Sequence, residues 1–170
     1  MPRLLTVLLN YRTAEMTLQA AEAALVALEG IEGELVIVDN DSRDGSFERL
    51  SEAAAARGWT AGNRVRVIQS GRNGGFGAGN NAGIRAGLSD GSAPDYVYIL
   101  NSDAFPAPDA IRRLLEALEA DPKIGFAGSY IHGTDGQPHV TAFRFPSILS
   151  ELEGAARLGP VTRLLGDHAV

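Results

Sequence analysis

Apolar and polar positions follow a repeated pattern along this chain, with a period of roughly 30 residues, the usual length of a βαβ unit. Each repeat contains a short apolar run, a polar or glycine-rich turn, and an amphipathic stretch with helical spacing. The pattern predicts strands at Leu4–Leu9, Leu35–Val38, Val65–Ile68 and Tyr96–Leu100. It predicts helices over about Met16–Leu28, Ser46–Arg57, Gly79–Gly87 and Pro108–Ala120.

The predicted strands are almost unbroken apolar runs, which is typical of strands that helices cover on both faces. We therefore predict an α/β fold in which a mostly parallel sheet is sandwiched between helices. Further along, the sequence predicts a short strand at Ile124–Ser129, a turn at Thr134–Gln137 and a strand around Val140–Phe145. After Pro146 it predicts a last helix at about Leu149–Leu158.

Composition narrows the classes of function. A chain of 170 residues with 45% hydrophobic residues is typical of one soluble globular domain. Its net charge of −6 argues against binding to a nucleic-acid backbone. The absence of cysteine excludes disulfides, thiolate metal sites and a cysteine nucleophile, and it fits a cytoplasmic protein. No P-loop is present, and Lys123 is the single lysine.

The first apolar run, Leu4–Leu9, has six residues. A membrane-spanning helix needs about 20, and a signal-peptide core is also longer than this run. We expect a cytoplasmic protein that can still associate peripherally with the inner face of a membrane.

Polar residues are concentrated where each predicted strand ends. In parallel sheets, ligands bind at the carboxyl ends of the strands. Four segments lie there: Asn10–Arg12, Asp39–Gly45, Gly71–Gly77 and Asn101–Asp103. We expect these four segments to form one ligand pocket.

The segment after the second strand is rich in carboxylates. Asp39 occupies the last strand position, where its carboxylate can accept from a base N–H or a ribose hydroxyl. Asp44 and Gly45 suit a turn, and Ser46 suits the cap of the next helix. In the segment after the first strand, Tyr11 is suited either to stack on a flat base or to pack beneath its own loop.

The third segment contains six glycines between Gly71 and Gly83. Such a density is typical of a loop that approaches a ligand closely, although a plain glycine-rich loop is the alternative. The loop opens a helix, whose N-terminal amides attract phosphate. Gly77-x-Gly79-x-x-Ala82 also matches a dinucleotide fingerprint, but seven residues separate it from Gln69, and it does not lie on a tight turn after the first strand.

The fourth segment, Asn101-Ser102-Asp103, places an amide and a carboxylate two residues apart. Both side chains can face a hydrated Mg²⁺ or Mn²⁺ that shares its ligands with a diphosphate. The alternative is an aspartate that caps or turns the chain before the next helix. His132, His139 and His168 lack metal-ligand spacing.

Taken together, these segments resemble family 2 glycosyltransferases of the GT-A fold, and in particular the rhamnosyltransferase-like branch. The matching motifs are Asn10-Tyr11, Val38-Asp39-Asn40-Asp41-Ser42-x-Asp44-Gly45-Ser46, Asn73-x-Gly75-Phe76-Gly77-x-Gly79-Asn80-Asn81-x-Gly83-Ile84 and Leu100-Asn101-Ser102-Asp103. Their order and spacing both agree, over about residues 3–130.

The resemblance implies a UDP-, dTDP- or GDP-sugar donor and a glycan or lipid-linked acceptor, in glycan or cell-envelope polysaccharide biosynthesis. It implies a metal-dependent transfer with inversion, with Asp103 as the ligand of Mg²⁺ or Mn²⁺. It implies that Asp39 accepts from the base and that Asn10 and Tyr11 line the base pocket. The implied donor-binding residues are Asn10, Tyr11, Asp39, Asn40, Asp41, Asn73, Gly75, Phe76, Asn80, Asn81 and Asn101.

Two departures from the family pattern affect these expectations. The usual Asp-x-Asp is replaced by Asn101-Ser102-Asp103, which has one carboxylate fewer. The family's catalytic base lies in a later acidic segment, and residues 131–170 contain no such segment, since Glu151 and Glu153 lie in an amphipathic stretch. No catalytic base is therefore assigned.

We expect one incomplete GT-A-like domain, with a nucleotide-sugar-binding part at 1–130 and the start of an acceptor-side part at 131–170. Two other functions remain as alternatives to a glycosyltransferase. One is a non-catalytic nucleotide-sugar-binding module, suggested by the missing base. The other is an NAD-dependent dehydrogenase, suggested by the match at Gly77–Ala82.

Overall fold

The computed structural model describes residues 2–133, 136, 137, 145, 147, 148, 150, 151 and 155. Strands and helices alternate in it as the hydrophobic pattern predicts. The strands are β1 (Leu4–Asn10), β2 (Gly33–Asp39), β3 (Val65–Gln69) and β4 (Tyr96–Asn101). The helices are α1 (Ala14–Ala27), α2 (Ser46–Ala56), α3 (Phe76–Ala86) and α4 (Ala110–Ala120), and a short 3-10 turn covers Ala61–Asn63.

The four strands form one parallel sheet in the order β3-β2-β1-β4. β1 lies at the centre of this order, and all seven of its residues are buried. Leu9 pairs with Asn101 on one side, and Asn10 pairs with Asp39 on the other. Because the strands are parallel and in this register, the loops after β1, β2 and β4 leave the sheet at the same edge.

Helices cover the sheet on both faces. The larger core lies on the face of α1, α2 and α4, where residues such as Leu8, Ile37 and Leu50 are fully buried. The opposite face packs against α3, whose glycines permit a close approach. A Cβ at Gly83 would lie 2.5 Å from Val7 Cγ1 and 2.9 Å from Val38 Cγ2.

The fourth predicted helix begins two residues later than expected, at Ala110, and the third begins three residues earlier, at Phe76. Gly75 explains the earlier start. It has a φ of 84°, which a residue with a side chain adopts only with strain, and its carbonyl accepts from Gly79 N. The helix α3 therefore begins at Phe76, directly after Gly75.

The strand predicted at Ile124–Ser129 is absent, since these residues have no regular secondary structure. No described strand pairs with this segment, and Phe126 is 97% exposed. Gly125 and Gly128 also weaken a strand, because they contribute no side chain to pack on a sheet. Of the strand predicted around Val140–Phe145, all but Phe145 lies outside the described residues.

The chain divides into two compact units, Met1–Ala127 and Gly128–Val170. In the second unit, Gly136 N donates to Gly133 O, and Gly133 N donates to Gln137 O. These bonds close a turn over the predicted Thr134–Gln137, of which Thr134 and Asp135 lie outside the described residues.

The structure describes only a few residues of the predicted last helix, Leu149–Leu158, and one residue directly before it. Ile148, Ser150, Glu151 and Ala155 are helical, and the other residues of Leu149–Leu158 lie outside the described set. Across the part of the chain that the structure describes, no helix has the length and hydropathy needed to cross a membrane.

The contact between α3 and the sheet gives a stability prediction. Gly83→Ala should destabilise the fold by about 1–3 kcal/mol, because its new methyl group would overlap two buried valines. Gly77→Ala, in the same helix, should be neutral or stabilising by up to about 1 kcal/mol, because no atom lies within 4 Å of its Cβ position. Urea unfolding of both variants tests this, and a shift of both midpoints in the same direction would contradict it.

Candidate functional site

Asn10, at the tip of the central strand, is fully buried. Its amide nitrogen donates to Asp39 Oδ1 at 2.7 Å and to Ser42 Oγ at 3.2 Å. Its amide oxygen accepts from the hydroxyls of Thr17 at 2.8 Å and Thr13 at 3.3 Å. Asn10 therefore joins the loop after β2 to the loop after β1, and it has no surface left for a ligand.

Asp39 ends β2 as predicted, and only 1% of its surface is exposed. Oδ1 accepts from Asn10 and, at 2.5 Å, from the Ser42 hydroxyl, while Oδ2 accepts from Ser42 N at 3.1 Å. A carboxylate offers about four acceptor positions, so roughly one remains for a further donor. The same three bonds hold the loop after β2 in place.

Asn40 connects the loop after β2, which we call the second loop, to the glycine-rich loop after β3, the third loop. Its amide nitrogen donates to Asn73 Oδ1 at 3.1 Å and to Gly75 O at 3.4 Å, and its oxygen accepts from the Ser70 hydroxyl at 3.1 Å. Asn73 also accepts from Gly75 N at 3.0 Å. The bend before α3 is thus fixed by side-chain amides.

The first two turns of α3 contain several of the predicted donor-binding residues. Phe76 is 56% exposed, and Asn81 is also exposed. Asn80 is buried, and its nitrogen donates to Phe76 O at 3.0 Å. Its oxygen has no hydrogen-bond partner among the described residues.

The dinucleotide match at Gly77–Ala82 does not form a phosphate-binding turn. Both of its glycines, Gly77 and Gly79, lie inside α3. In the fingerprint, the first glycine makes the tight turn that precedes the helix. The dehydrogenase alternative therefore loses the geometry on which it depends.

Asp41 and Arg43 form an ion pair on the second loop, with Arg43 Nη2 2.7 Å from Asp41 Oδ2. Hydrogen bonds from this guanidinium hold the pKa of Asp41 below its ordinary value. Both residues have positive φ, 57° and 55°, and so does Arg12 on the first loop, at 61°. Such backbone strain in residues with side chains is typical of functional loops.

Tyr11 follows Asn10 at the same edge and is 41% exposed. The Arg12 guanidinium carbon lies 5.1 Å from the centre of its ring, within the range of a cation–π contact. Of the two roles expected for Tyr11, this exposure favours stacking on a ligand over packing beneath the loop.

The loop after β4, here called the fourth loop, is hydrogen-bonded to the loop after β1, the first loop. The hydroxyl oxygens of Ser102 and Thr13 lie 3.2 Å apart. Asn101 and Asp103, on either side of Ser102, are both exposed. Because Asn10 links Thr13 to Asp39, one hydrogen-bonded chain runs from the tip of β2 to the turn after β4.

The side-chain oxygens of Asn101 and Asp103 suit a cation that is also bound by a ligand. Asp103 and Asn101 offer one carboxylate and one amide oxygen, and no cluster of three or more acidic or histidine side chains occurs in the described part of the chain. These residues do not fit a site made wholly of protein ligands. They fit a hydrated Mg²⁺ or Mn²⁺ that takes its other ligands from a diphosphate and water.

A cleft of about 460 Å³ lies beside the first loop, between the start of α1 and α2. It contains none of the residues predicted to bind a donor. Its lining residues are Arg12, Thr13, Ala14, Glu15, Met16, Gln19 and Arg49.

Sequence reasoning missed three residues that hold the site together, Thr13, Ser42 and Ser102. Hydroxyl residues in loops are usually interpreted as turn or cap formers, so their type gives no signal. The spacing of Thr13 and Thr17, three and seven residues after Asn10, was the available clue, since it places both near one face at the start of a helix. Ser46, predicted as a cap, is instead the first residue of α2, and its N–H donates to Asp44 Oδ1 at 3.0 Å.

Two curated relatives are similar in sequence. Succinoglycan biosynthesis protein ExoO of Rhizobium meliloti (strain 1021) is 34% identical over 119 residues, which are 70% of this chain and 30% of that protein. Dolichol-phosphate mannosyltransferase of Pyrococcus furiosus is 29% identical over 107 residues, 63% of this chain and 27% of that protein. The chain therefore spans less than a third of the length of these relatives.

Two solved structures share the fold. Mannosyltransferase PcManGT from Pyrobaculum calidifontis, in complex with GDP-Man and Mn²⁺, has a TM-score of 0.62 at 21% identity, over 73% of this chain and 34% of that one. S. aureus TarS 1-349, in complex with UDP-GlcNAc, has a TM-score of 0.53 at 16% identity, over 69% and 31%. These likenesses confirm the predicted GT-A type of α/β fold. A family model described as Glycosyl transferase family 2 matches residues 6–167, and the chain belongs to that family.

Proposed function

We propose that this chain carries the donor-binding part of a metal-dependent, inverting glycosyltransferase that uses a nucleotide-sugar. The observation that carries the proposal is the hydrogen-bonded chain from Asp39 through Asn10 and Thr13 to Ser102. It links the loops that carry the predicted base-binding and cation-binding residues, and these loops leave the parallel sheet at one edge. An acidic protein with an exposed tyrosine and a carboxylate at such an edge is suited to a nucleoside diphosphate held through a cation.

The predicted donor-binding residues divide by burial into two groups. The exposed or partly exposed ones are proposed to contact the donor: Tyr11, Asp41, Asn73, Gly75, Phe76, Asn81, Asn101 and Asp103. The buried ones are proposed to shape the pocket: Asn10, Asp39, Asn40 and Asn80. Asp39 has a second role, because its remaining acceptor position suits a base N–H at the floor of the pocket.

In the proposed reaction, the chain binds and orients the donor. Tyr11 stacks on the base, and the first turn of α3 borders the sugar and its phosphates. Asp103, with Asn101 beside it, would hold Mg²⁺ or Mn²⁺. When bound, such a cation neutralises charge on the departing nucleoside diphosphate. The base that deprotonates the acceptor hydroxyl is not assigned to any residue.

The acceptor and the cellular role rest on relatives alone. The names of two relatives refer to succinoglycan biosynthesis and to dolichol phosphate, a polysaccharide and a lipid carrier. We propose a glycan or lipid-linked acceptor, and action at the cytoplasmic face of a membrane. Membership of the rhamnosyltransferase-like branch is part of the proposal, and its support is the four sequence motifs.

Calorimetric titration tests the donor class. UDP, dTDP and GDP, and sugar nucleotides made from them, should be titrated with Mn²⁺ or Mg²⁺ and again after chelation. We expect at least one nucleotide to bind, and to bind more tightly with the cation. Absence of binding to every nucleotide in the presence of the cation would refute the proposal.

Asp103→Ala should remove the effect of the cation on nucleotide binding, because it removes the only carboxylate of the Asn101-Ser102-Asp103 segment. The factor by which Mn²⁺ raises the nucleotide affinity should fall by roughly tenfold or more. The nucleotide affinity without metal should change little. Asp121→Ala is the matched control, an exposed aspartate at the end of α4. Equal behaviour of the two variants would rule out Asp103 as the cation ligand.

Asp39→Asn should reduce discrimination between bases, because it replaces an acceptor by a group that also donates. Uracil presents an N–H where cytosine presents a lone pair. The ratio of the CDP and UDP dissociation constants should therefore fall toward one. A general loss of stability would instead weaken the binding of CDP and UDP equally, and the ratio of their dissociation constants would stay unchanged.

A further inference from the structure

We propose that Thr13 and Ser102 are positioning residues that couple cation binding at Asp103 to base binding at Asp39. This inference rests on the proposed function and extends it, because it concerns communication within the donor site. Neither residue belongs to the set predicted to touch the donor. The inference is based on the order of hydrogen-bond donors and acceptors from Ser102 through the partly buried Thr13 to the buried Asn10 and Asp39.

The hydrogen bonds between Ser102 and Asp39 run in one direction. Asp39 can only accept, so the Asn10 amide must present its nitrogen to Asp39 and its oxygen to Thr13. Thr13 has one hydroxyl hydrogen, and its oxygen lies 3.3 Å from Asn10 Oδ1 and 3.2 Å from Ser102 Oγ. Both contacts are made at once when Ser102 donates to Thr13 and Thr13 donates to Asn10.

The inner end of the hydrogen-bonded chain is buried. Asn10 is fully buried and 1% of Asp39 is exposed, so water does not readily replace the bond between their side chains. The contact between the Ser102 and Thr13 hydroxyls is partly buried. Hydrogen bonds in a chain polarise one another, and a chain that ends on a buried carboxylate is a favourable case.

Ser102 lies between Asn101 and Asp103 in the sequence. Its bond to Thr13 holds the turn that carries both proposed cation ligands against the first loop. The Ala104 N–H donates to Asn101 O at 3.2 Å, and this bond closes the turn around Ser102 and Asp103. A cation that pulls on Asp103 therefore acts on Thr13 and, through Asn10, on the orientation of Asp39.

The coupling is measured as a ratio. UDP and GDP are titrated calorimetrically into the wild-type chain with Mn²⁺ and after chelation, and the dissociation constant without metal is divided by that with metal. This ratio is then measured for Ser102→Ala, Thr13→Val, the double variant and Ser102→Thr. Ser51→Ala is the control, since it removes a hydroxyl that donates to Phe47 O at 2.8 Å within α2.

We expect Ser102→Ala and Thr13→Val each to lower the ratio by roughly three- to tenfold, the effect of one hydrogen bond. The affinity without metal should stay within about twofold of wild type, and the double variant should show no further loss. Ser102→Thr should keep the wild-type ratio, because it keeps the hydroxyl. Ser51→Ala should also keep it.

Several results would overturn the inference. An unchanged ratio in Ser102→Ala would do so, as would losses that add in the double variant or an equal fall in affinity with and without metal. If Thr13→Val fails to fold, as judged by thermal unfolding, Ser102→Ala and Ser102→Thr decide alone. A wild-type chain that binds no nucleotide would defeat the proposed function as well, whereas metal-linked binding that survives Ser102→Ala defeats only the coupling.

Discussion

The site depends on one buried amide, that of Asn10 at the tip of the central strand. An uncompensated polar side chain at this depth would cost about 1–3 kcal/mol, so each end of the amide needs a partner. Asp39 satisfies the nitrogen, and Thr13 and Thr17 satisfy the oxygen. This requirement joins two loops that are far apart in the sequence, and Ser102 extends the connection to a third.

The rest of the fold makes that arrangement possible. Parallel strands in register place the ends of β1, β2 and β4 side by side. The apolar core beneath them fixes the strands, so the polar tips have little freedom to move apart. The described residues with side chains that take positive φ lie between the strands and α-helices: Arg12, Asp41 and Arg43 in the loops of the site, and Asn63 in the 3-10 turn. This division between a rigid sheet and strained loops is the usual arrangement in which a scaffold presents binding residues.

Burial changes the meaning of the predicted site residues. Asn10 and Asn40 have the residue types of ligand-binding side chains, yet their hydrogen bonds are made within the chain. Tyr11 and Phe76 are exposed although their side chains are largely apolar. The groups with free surface at this edge thus include the rings of Tyr11 and Phe76, the amides of Asn73, Asn81 and Asn101, and the carboxylate of Asp103. Such a combination suits a ligand with a flat base and a charged diphosphate.

Hydrophobic periodicity was sufficient to predict the four strands, the parallel sheet between two layers of helices, and the edge at which polar residues collect. Each of these three features depends on local spacing along the sequence. It was insufficient at Ile124–Ser129, since a strand also needs a neighbour with which to pair. It also could not distinguish Asp39 as a ligand contact from Asp39 as an internal acceptor. That distinction, and the roles of Thr13, Ser42 and Ser102, depend on which side chains meet across the sheet edge, and contacts between residues some 30 to 90 positions apart exist only in the folded chain.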